Sequence, residues 1–256
     1  MNPARSTVRG ARASVLALAV LAVGIGACSA DPEPPAAATS TSAVAAADTT
    51  TQAPQTTRQL DHSLDDDLFD AAEDNDADRV RDLIARGADP ESRHDDGRTP
   101  LVEATKNRAS AAALALIDAG ADVNAKDDLQ DSAYLYAGAE GIDDILAATL
   151  AHGADLRSVN RYGGTALIPA SEHGHVSTVR MLIAAGVDVN HVNTPRWTAL
   201  QEAIVYGDGS QRYQETVTAL LDAGADPDIR DADGRTALQN ADRLGQDAIV
   251  ALLRGR

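Results

Sequence analysis

Five Gly-Ala-Asp or Gly-Val-Asp triplets divide this sequence at nearly constant intervals, and those intervals constrain its fold more than any other feature. Successive triplets are separated by 33, 33, 33 and 38 residues. A second marker, a Thr or Ser followed by a small residue or Pro and then a large apolar residue, recurs with the same intervals. Two independent markers with the same period and the same single longer interval indicate an array of repeats. The triplets start at Gly87, Gly120, Gly153, Gly186 and Gly224, and the second markers lie at Thr99, Ser132, Thr165, Thr198 and Thr236.

Each repeat predicts two short helices joined by a turn. Apolar residues spaced i, i+3, i+4, as at Val179, Leu182 and Ile183, predict the buried side of the second helix. The triplet glycine is expected to end that helix in a left-handed conformation. A hydroxyl oxygen is placed to cap the first helix, and we expect such caps from Thr99, Thr165, Thr198 and Thr236.

The 33-residue period, together with the motifs "GRTPL" and "GADVN", resembles the ankyrin repeat. The resemblance covers roughly residues 62–256, or about six repeats. It implies an all-α repeat solenoid in which helix-turn-helix units stack only against their neighbours and β-turn fingers project from one edge. The end units are expected to act as caps. In the first one, the acids of "LDDD" are expected early in a helix, where the helix dipole favours negative charge.

The single interval of 38 residues indicates a five-residue insertion in the fifth repeat. Register places it in "GDGSQRYQE" (residues 207–215), after Gly207 and so within residues 208–215, because Gly207 aligns with the helix–helix turn glycines Gly141 and Gly174. A phosphate-binding loop would need a strand before it and a helix N-terminus after it. The insertion is therefore interpreted as a lengthened turn at the opposite end of the helices from the fingers. If Arg212 and Tyr213 bind anything, they form a second surface.

The amino-terminal region has the layout of an export signal. Residues 1–12 contain three arginines and no acids, and residues 13–27 form an apolar run shorter than the roughly 20 residues of a membrane-spanning helix. The run ends in "IGAC", which resembles the bacterial lipobox and implies that Cys28, the only cysteine, carries a lipid. The alternative is an ordinary signal peptide followed by an incidental cysteine.

These features predict three regions: a lipoprotein signal peptide at residues 1–27, a lipidated and disordered linker at 28–60, and a repeat domain at 61–256. The linker prediction rests on its content of Pro, Ala, Ser and Thr, with few large apolar side chains. The resemblance to lipoproteins implies an exported protein that contacts the membrane through its lipid alone.

Charge and motif content argue against several functional classes. The formal net charge is −17, and removal of three arginines with the signal would make it −20, which opposes nucleic-acid binding. The six histidines are scattered, and His173 and His175 match a "GH" turn of the resembled family. The sequence also lacks a Walker motif, a nucleophile elbow and a dinucleotide fingerprint. We therefore expect no catalytic residues, no metal and no cofactor.

Protein binding is the function that the resemblance implies, through finger tips and outward positions of the first helices. Trp197, the only tryptophan, is interpreted as replacing the glycine found at Gly97, Gly164 and Gly234. Tryptophan, tyrosine and arginine dominate interface hot spots, although Trp197 could instead pack against a neighbouring finger. The candidate partner-binding residues are Arg98, Glu103, Tyr136, Arg161, Tyr162, Arg196, Trp197 and Glu202.

The expected function is that of a monomeric, non-catalytic interaction module displayed outside the cytoplasm, whose partner is another protein. Two alternatives remain open from the sequence. One is an inhibitor or immunity protein against a secreted toxin or hydrolase. The other is an accessory protein of an extracytoplasmic oxidative-stress enzyme such as catalase.

Overall fold

The computed structural model describes the backbone of residues 56–255, with side chains from residue 64. Within that range the regular structure is twelve α-helices in six consecutive pairs, without strands. Each pair is called a unit, and the segment that precedes a unit is its finger. The helices are α1 (Thr56–Glu73), α2 (Ala77–Ala85), α3 (Pro100–Lys106), α4 (Ser110–Asp118), α5 (Ala133–Glu140), α6 (Asp143–Ala151), α7 (Leu167–Glu172), α8 (Val176–Ala185), α9 (Ala199–Val205), α10 (Gln211–Asp222), α11 (Ala237–Arg243) and α12 (Asp247–Arg254).

The predicted signal peptide, Cys28 and the linker up to residue 55 lie outside the described residues. Helix α1 begins at Thr56, ahead of the boundary that the sequence predicted at residue 61. None of the helices in the described range is both long enough and apolar enough to span a bilayer.

The units stack in two layers. First helices pack against first helices in the order α1, α3, α5, α7, α9, α11, and second helices follow the same neighbour-to-neighbour order from α2 to α12. The alanines at the centre of the first helices are fully buried, which lets adjacent helices approach closely: Ala104, Ala137, Ala170, Ala203 and Ala241. The core is therefore aliphatic and continuous from unit to unit, as predicted for an all-α solenoid.

Three of the four predicted threonine caps are confirmed, and Ser132, for which no cap was predicted, caps its helix as well. The hydroxyl oxygens of Thr99, Ser132, Thr198 and Thr236 each accept a hydrogen bond from the backbone N–H three residues on. The prediction for Thr165 was wrong. Helix α7 begins only at Leu167, and the backbone N–H of Ile168 donates to the Thr165 carbonyl at 3.1 Å. Pro169 has no N–H for that carbonyl, so the first turn tightens and the Thr165 hydroxyl finds no partner among the described residues.

The triplet glycines adopt the predicted left-handed conformation, with φ between 86° at Gly153 and 104° at Gly87. The aspartate of the triplet has a role that the sequence did not reveal. Asp122, for example, accepts a hydrogen bond from the Asn124 N–H at 2.9 Å, and its own N–H donates to Glu91 of the preceding finger at 2.7 Å. The triplet thus ends a helix and also links consecutive fingers.

The finger turns correct the interpretation of Trp197. A left-handed residue is required two positions before the capping threonine, and Gly97 and Gly234 both have φ of 77° there. In the fifth unit this position is Arg196, with φ of 69°. Trp197 is one residue later, so it replaces Arg98 of the second unit rather than a turn glycine.

The acids of the first unit are not at the start of a helix, because α1 begins earlier than predicted and has no acid in its first turn. They instead bind the next elements along the stack. Asp65 accepts a hydrogen bond from the Asp89 N–H at 2.7 Å, and Asp67 pairs with Arg79 of α2 at 2.8 Å. At the other end, Arg254 is exposed, as expected for a capping unit.

The insertion in the fifth unit lengthens a helix as well as a turn. Helix α10 begins at Gln211, which aligns with His173, whereas α8 begins three residues later in register, at Val176. The insertion carries Tyr213, which is 4% exposed and donates its hydroxyl hydrogen to the Glu172 carbonyl at 3.0 Å. Tyr213 therefore packs between units and is not part of a second binding surface.

Candidate protein-binding site

A pocket of about 510 Å³ opens on the layer of first helices, between the third, fourth and fifth units. No residue of a second helix lines it, so it belongs to one face of the stack, called here the first-helix face. Its volume is within the range of roughly 300–1,000 Å³ that is typical of ligand sites. The helical residues that line it include Tyr136, Glu140, Glu172 and Glu202, with Tyr206 just after α9, and the fingers contribute Asp131, Asn160, Arg161, Tyr162, Asn193 and Pro195.

Four of the eight predicted partner-binding residues meet in this pocket: Tyr136, Arg161, Tyr162 and Glu202. Arg196 and Trp197 lie on the finger beside it. The other two candidates, Arg98 and Glu103, lie in the second unit, outside the pocket. The predicted residues therefore lie on the first helices and their fingers, but the sequence did not distinguish the residues that share a cavity from those that do not.

Arg161 and Tyr162 form the exposed rim of the pocket. Tyr162 is 55% exposed, and the Arg161 guanidinium lies 4.8 Å from the centre of its ring. Arg161 also approaches the carboxylate of Asp131 at 3.8 Å. An exposed aromatic ring with a cation over one face suits a protein interface, because such side chains bury a large area at low conformational cost.

Glu202 lies at the inner wall of the pocket and is 6% exposed. Its Oε1 accepts a hydrogen bond from the Asn193 side-chain amide at 3.0 Å, while Oε2 is buried without a hydrogen-bond partner in the described structure. Burial, with a smaller contribution from the nearby Glu172, raises the pKa of Glu202 to about 7 against the opposing effects of Asn193 and His173. The carboxyl group therefore changes its charge near neutral pH.

Trp197 is half-buried, and its ring contacts Tyr206 of its own unit. The centre of its ring system lies 5.3 Å from that of Tyr206, just beyond the end of α9. Its backbone N–H donates to Asn193 Oδ1 at 2.7 Å, and this fixes the amide that contacts Glu202. Tyr206, which is 60% exposed, and Asn193 were missed by the sequence analysis. Register could have found Tyr206, since it follows Glu202 by one helical turn.

In the second unit, Arg98 and Glu103 bind each other. The Arg98 guanidinium lies 2.7 Å from Glu103 Oε2 and 2.5 Å from Asp96 Oδ2. The remaining oxygen of Glu103 accepts a hydrogen bond from Asn107 at 2.8 Å. Both predicted contact residues are therefore already occupied within the fold.

His173 and His175 both contact the end of the preceding first helix and its turn. His173 Nδ1 lies 2.9 Å from the Ala139 carbonyl oxygen, and the His175 ring lies against the turn glycine Gly141. Burial lowers the pKa of His175, which favours its neutral form. Across the described residues, no group of three or more His, Cys, Asp or Glu side chains is arranged to hold a metal ion.

The fold and this face define a class of protein: a solenoid of helix-turn-helix units that presents first helices and fingers on one side. A family model described as ankyrin repeats, in three copies, matches residues 68–157 and again residues 134–231. These matches cover more than half of the chain. The protein therefore belongs to the ankyrin-repeat family. Ankyrin repeats generally mediate protein–protein interaction, and the family is typically non-catalytic.

Two crystal structures extend this similarity. One, of an ankyrin repeat domain from Acinetobacter baumannii AYE, is 54% identical, with a TM-score of 0.72 over 73% of this chain and 96% of that one. The other, of the ankyrin repeat protein EF0377, is 40% identical, with a TM-score of 0.71 over 74% of this chain and 97% of that one. A comparison with curated proteins gave no match.

Proposed function

We propose that this chain is a non-catalytic protein-binding module of six ankyrin repeats, displayed outside the cytoplasm on a lipid attached to Cys28. It binds its partner, another protein, through the first-helix face and the adjacent fingers, and it does so as a monomer. The lipid holds it at the membrane, and the segment between Cys28 and α1 gives the repeats reach.

The observation that carries the binding proposal is the pocket between the third, fourth and fifth units. It brings Arg161, Tyr162 and Tyr206 to one place on the surface, with two tyrosines more than half exposed. Arginine and tyrosine are the residue types that contribute most to interface affinity. Large aromatic surface left in water at a cavity rim is typical of a site that a partner covers.

Crosslinked pulldown with the full chain tests this proposal. The double variant Tyr162→Ala, Tyr206→Ala removes both exposed rings from the rim and is expected to lose the partner that the unaltered chain recovers. The matched control is Arg180→Ala, an exposed residue of α8 in the second-helix layer, which should retain that partner. Retention of every partner by the tyrosine variant would show that the first-helix face is not the binding surface.

Membrane attachment has a separate test. The lipobox-like sequence supports lipidation, and we expect Cys28→Ala to release the protein from membranes into the soluble fraction. The control, Ser40→Ala in the same linker, should leave the membrane-bound fraction unchanged. Equal membrane retention of the Cys28→Ala protein would exclude the lipid as its anchor.

A further inference from the structure

The second and fifth units carry the same glutamate at the same place in the repeat, but only one of the two has a cation. Glu103 and Glu202 are 99 residues apart, which is three periods, and so are Arg98 and Trp197. In the second unit, Arg98 contacts Glu103 Oε2 at 2.7 Å. In the fifth unit, Trp197 stands where the arginine would be, and its ring packs on Tyr206 instead. Glu202 is therefore buried like Glu103 but without the arginine.

This arrangement is costly for an isolated domain. A buried carboxylate loses hydration that must be replaced by hydrogen bonds or by an opposite charge. The side-chain amide of Asn193 replaces part of the lost hydration of Glu202 at Oε1, whereas Oε2 has no partner in the described range. The arrangement thus leaves one position for a cation, and that position borders the pocket.

The charges around the pocket favour the same kind of occupant. Of its four carboxylates, Asp131 lies near Arg161, and Glu140 pairs with Arg108 at 3.2 Å. Glu172 and Glu202 have no arginine or lysine partner among the described side chains, and they repel each other. A positive group between them would relieve that repulsion and satisfy the free oxygen of Glu202.

We propose that this pocket receives a lysine or arginine side chain of the partner protein, which takes the place that Arg98 occupies in the second unit. The inference rests on the proposed function and specifies the chemistry that the partner must present. The incoming cation pairs with Glu202 and Glu172, and its aliphatic stem packs against the pocket tyrosines, whose faces attract positive charge.

Access to Glu202 requires a small movement at the pocket wall, because Oε2 has almost no accessible surface. Tyr206 is the residue best placed to move. It lies one helical turn after Glu202, lines the pocket and is 60% exposed. Displacement of a ring that is mostly in water breaks few contacts beyond its packing on Trp197. We expect the cation to enter between Tyr206 and the finger residue Pro195.

Isothermal titration calorimetry on the full chain tests the proposal with defined probes. The probes are two acetylated and amidated pentapeptides, one with arginine and one with lysine between glycine pairs, and their neutral counterparts with citrulline and acetyl-lysine. We expect the charged peptides to bind at least about tenfold more tightly than the neutral ones. Equal affinity of charged and neutral peptides would overturn the proposal. The arginine and lysine arms show which side chain the pocket prefers.

Two substitutions locate the interaction. Glu202→Gln removes the unpaired charge and should abolish the preference for charged peptides. Trp197→Arg places an arginine beside Glu202, as Arg98 lies beside Glu103 in the second unit. It should also abolish the preference for charged peptides, because the new arginine occupies the cation position. This variant separates loss of the site from loss of the fold. The matched control is Glu215→Gln in α10, a carboxylate of the same unit outside the pocket that lies 3.6 Å from Arg180. An undiminished preference in both pocket variants would overturn the proposal.

Proton linkage adds a readout specific to Glu202. The groups that act on it are Glu172 and His173 at the end of α7 and Asn193 from the finger, and Tyr206, just beyond the end of α9, lines the same pocket. With a pKa of about 7, Glu202 is mostly protonated at pH 6 and mostly charged at pH 8. Peptide affinity should therefore be about tenfold weaker at pH 6, and Glu202→Gln should remove this difference.

The outcomes separate this inference from the proposed function. If the tyrosine-rim variant loses its protein partner but charged and neutral peptides bind alike, the module binds a partner without a cation in the pocket. If charged peptides bind selectively but the rim variant retains every partner, the pocket recognises cations and the partner contacts another face.

Discussion

The second and fifth units of this solenoid each bury a glutamate in their first helix, but they surround it differently. In the second unit, Arg98 neutralises the buried Glu103 within the fold. In the fifth unit, Trp197 takes the place of the arginine and leaves Glu202 with one unpaired oxygen. The backbone is the same in both, since Thr99 and Thr198 each cap their helix with a 3.3 Å hydrogen bond. The repeat scaffold thus tolerates a change at the position before the capping threonine, and that change replaces an internal ion pair with a buried carboxylate at the wall of a pocket.

The largest expected effect concerns the pH dependence of stability. Because the pKa of Glu202 is raised to about 7 in the folded chain, the folded state binds an extra proton between the unfolded value near 4.5 and pH 7. The stability that the protonated Glu202 contributes is therefore fully present below about pH 4.5. It is lost as the pH rises through 7, by up to about 3 kcal/mol. Chemical denaturation at pH 5 and pH 8 should show this loss, and Glu202→Gln should remove it. Parallel pH profiles for the two proteins would contradict the assignment.

A smaller effect is expected when the arrangement of the fifth unit is transferred to the second. Arg98→Trp removes the cation from Glu103 and leaves a buried carboxylate with one remaining bond, to Asn107. Removal of one partner from a largely buried pair is strongly destabilising, but Arg98 is about one-third exposed, so we expect a loss of about 2 kcal/mol in the free energy of unfolding. Arg98→Lys keeps the charge and should lose less than half as much. Urea denaturation measures both, and equal losses would mean that packing, rather than charge, sets the effect.

The finger turns provide the smallest test of the comparison. Gly97 and Arg196 share a left-handed conformation, with φ of 77° and 69°, and only glycine adopts it without strain. Gly97→Ala should cost about 1 kcal/mol, in part because the new Cβ would lie 2.6 Å from Asp128 Oδ1. Arg196→Gly should instead raise stability by a few tenths of a kcal/mol. Thermal denaturation distinguishes the two signs, and destabilisation by Arg196→Gly would show that the Arg196 side chain stabilises the finger.

Most of the fold could be predicted from periodicity because each repeat carries its own boundary signals. The caps at Thr99 and Thr198 and the left-handed Gly87 and Gly153 depend on residues within a few positions, so the local sequence is sufficient. The prediction of a cap at Thr165 was wrong because Pro169, four residues later, lacks the N–H that the first turn of the helix needs. The extension of α10 at the insertion accompanies the packing of Tyr213 against the preceding unit, which no local signal reports.

The candidate site was only half predictable. Register placed Tyr136, Tyr162 and Glu202 on one face, where they line one pocket, because outward positions of a helix follow from its period. It could not show that Arg98 and Glu103 neutralise each other, since both looked available in the sequence. It also assigned Trp197 to a glycine position, an error of one residue that the φ angles of the fingers resolved.

The sequence by itself determined the repeat and the class of fold, and it supplied the predictions of a binding face and of a lipid at Cys28. These properties depend on residue type and spacing along one chain. The tertiary structure decided which charges are satisfied, because an ion pair requires two side chains to meet in space and a buried oxygen without a partner is visible only when all its neighbours are placed. Glu103 and Glu202 are the same residue type at the same position of the repeat. Arg98 beside one and Trp197 in the corresponding place beside the other give them different surroundings, so Glu103 belongs to an internal ion pair and Glu202 forms the inner wall of a pocket.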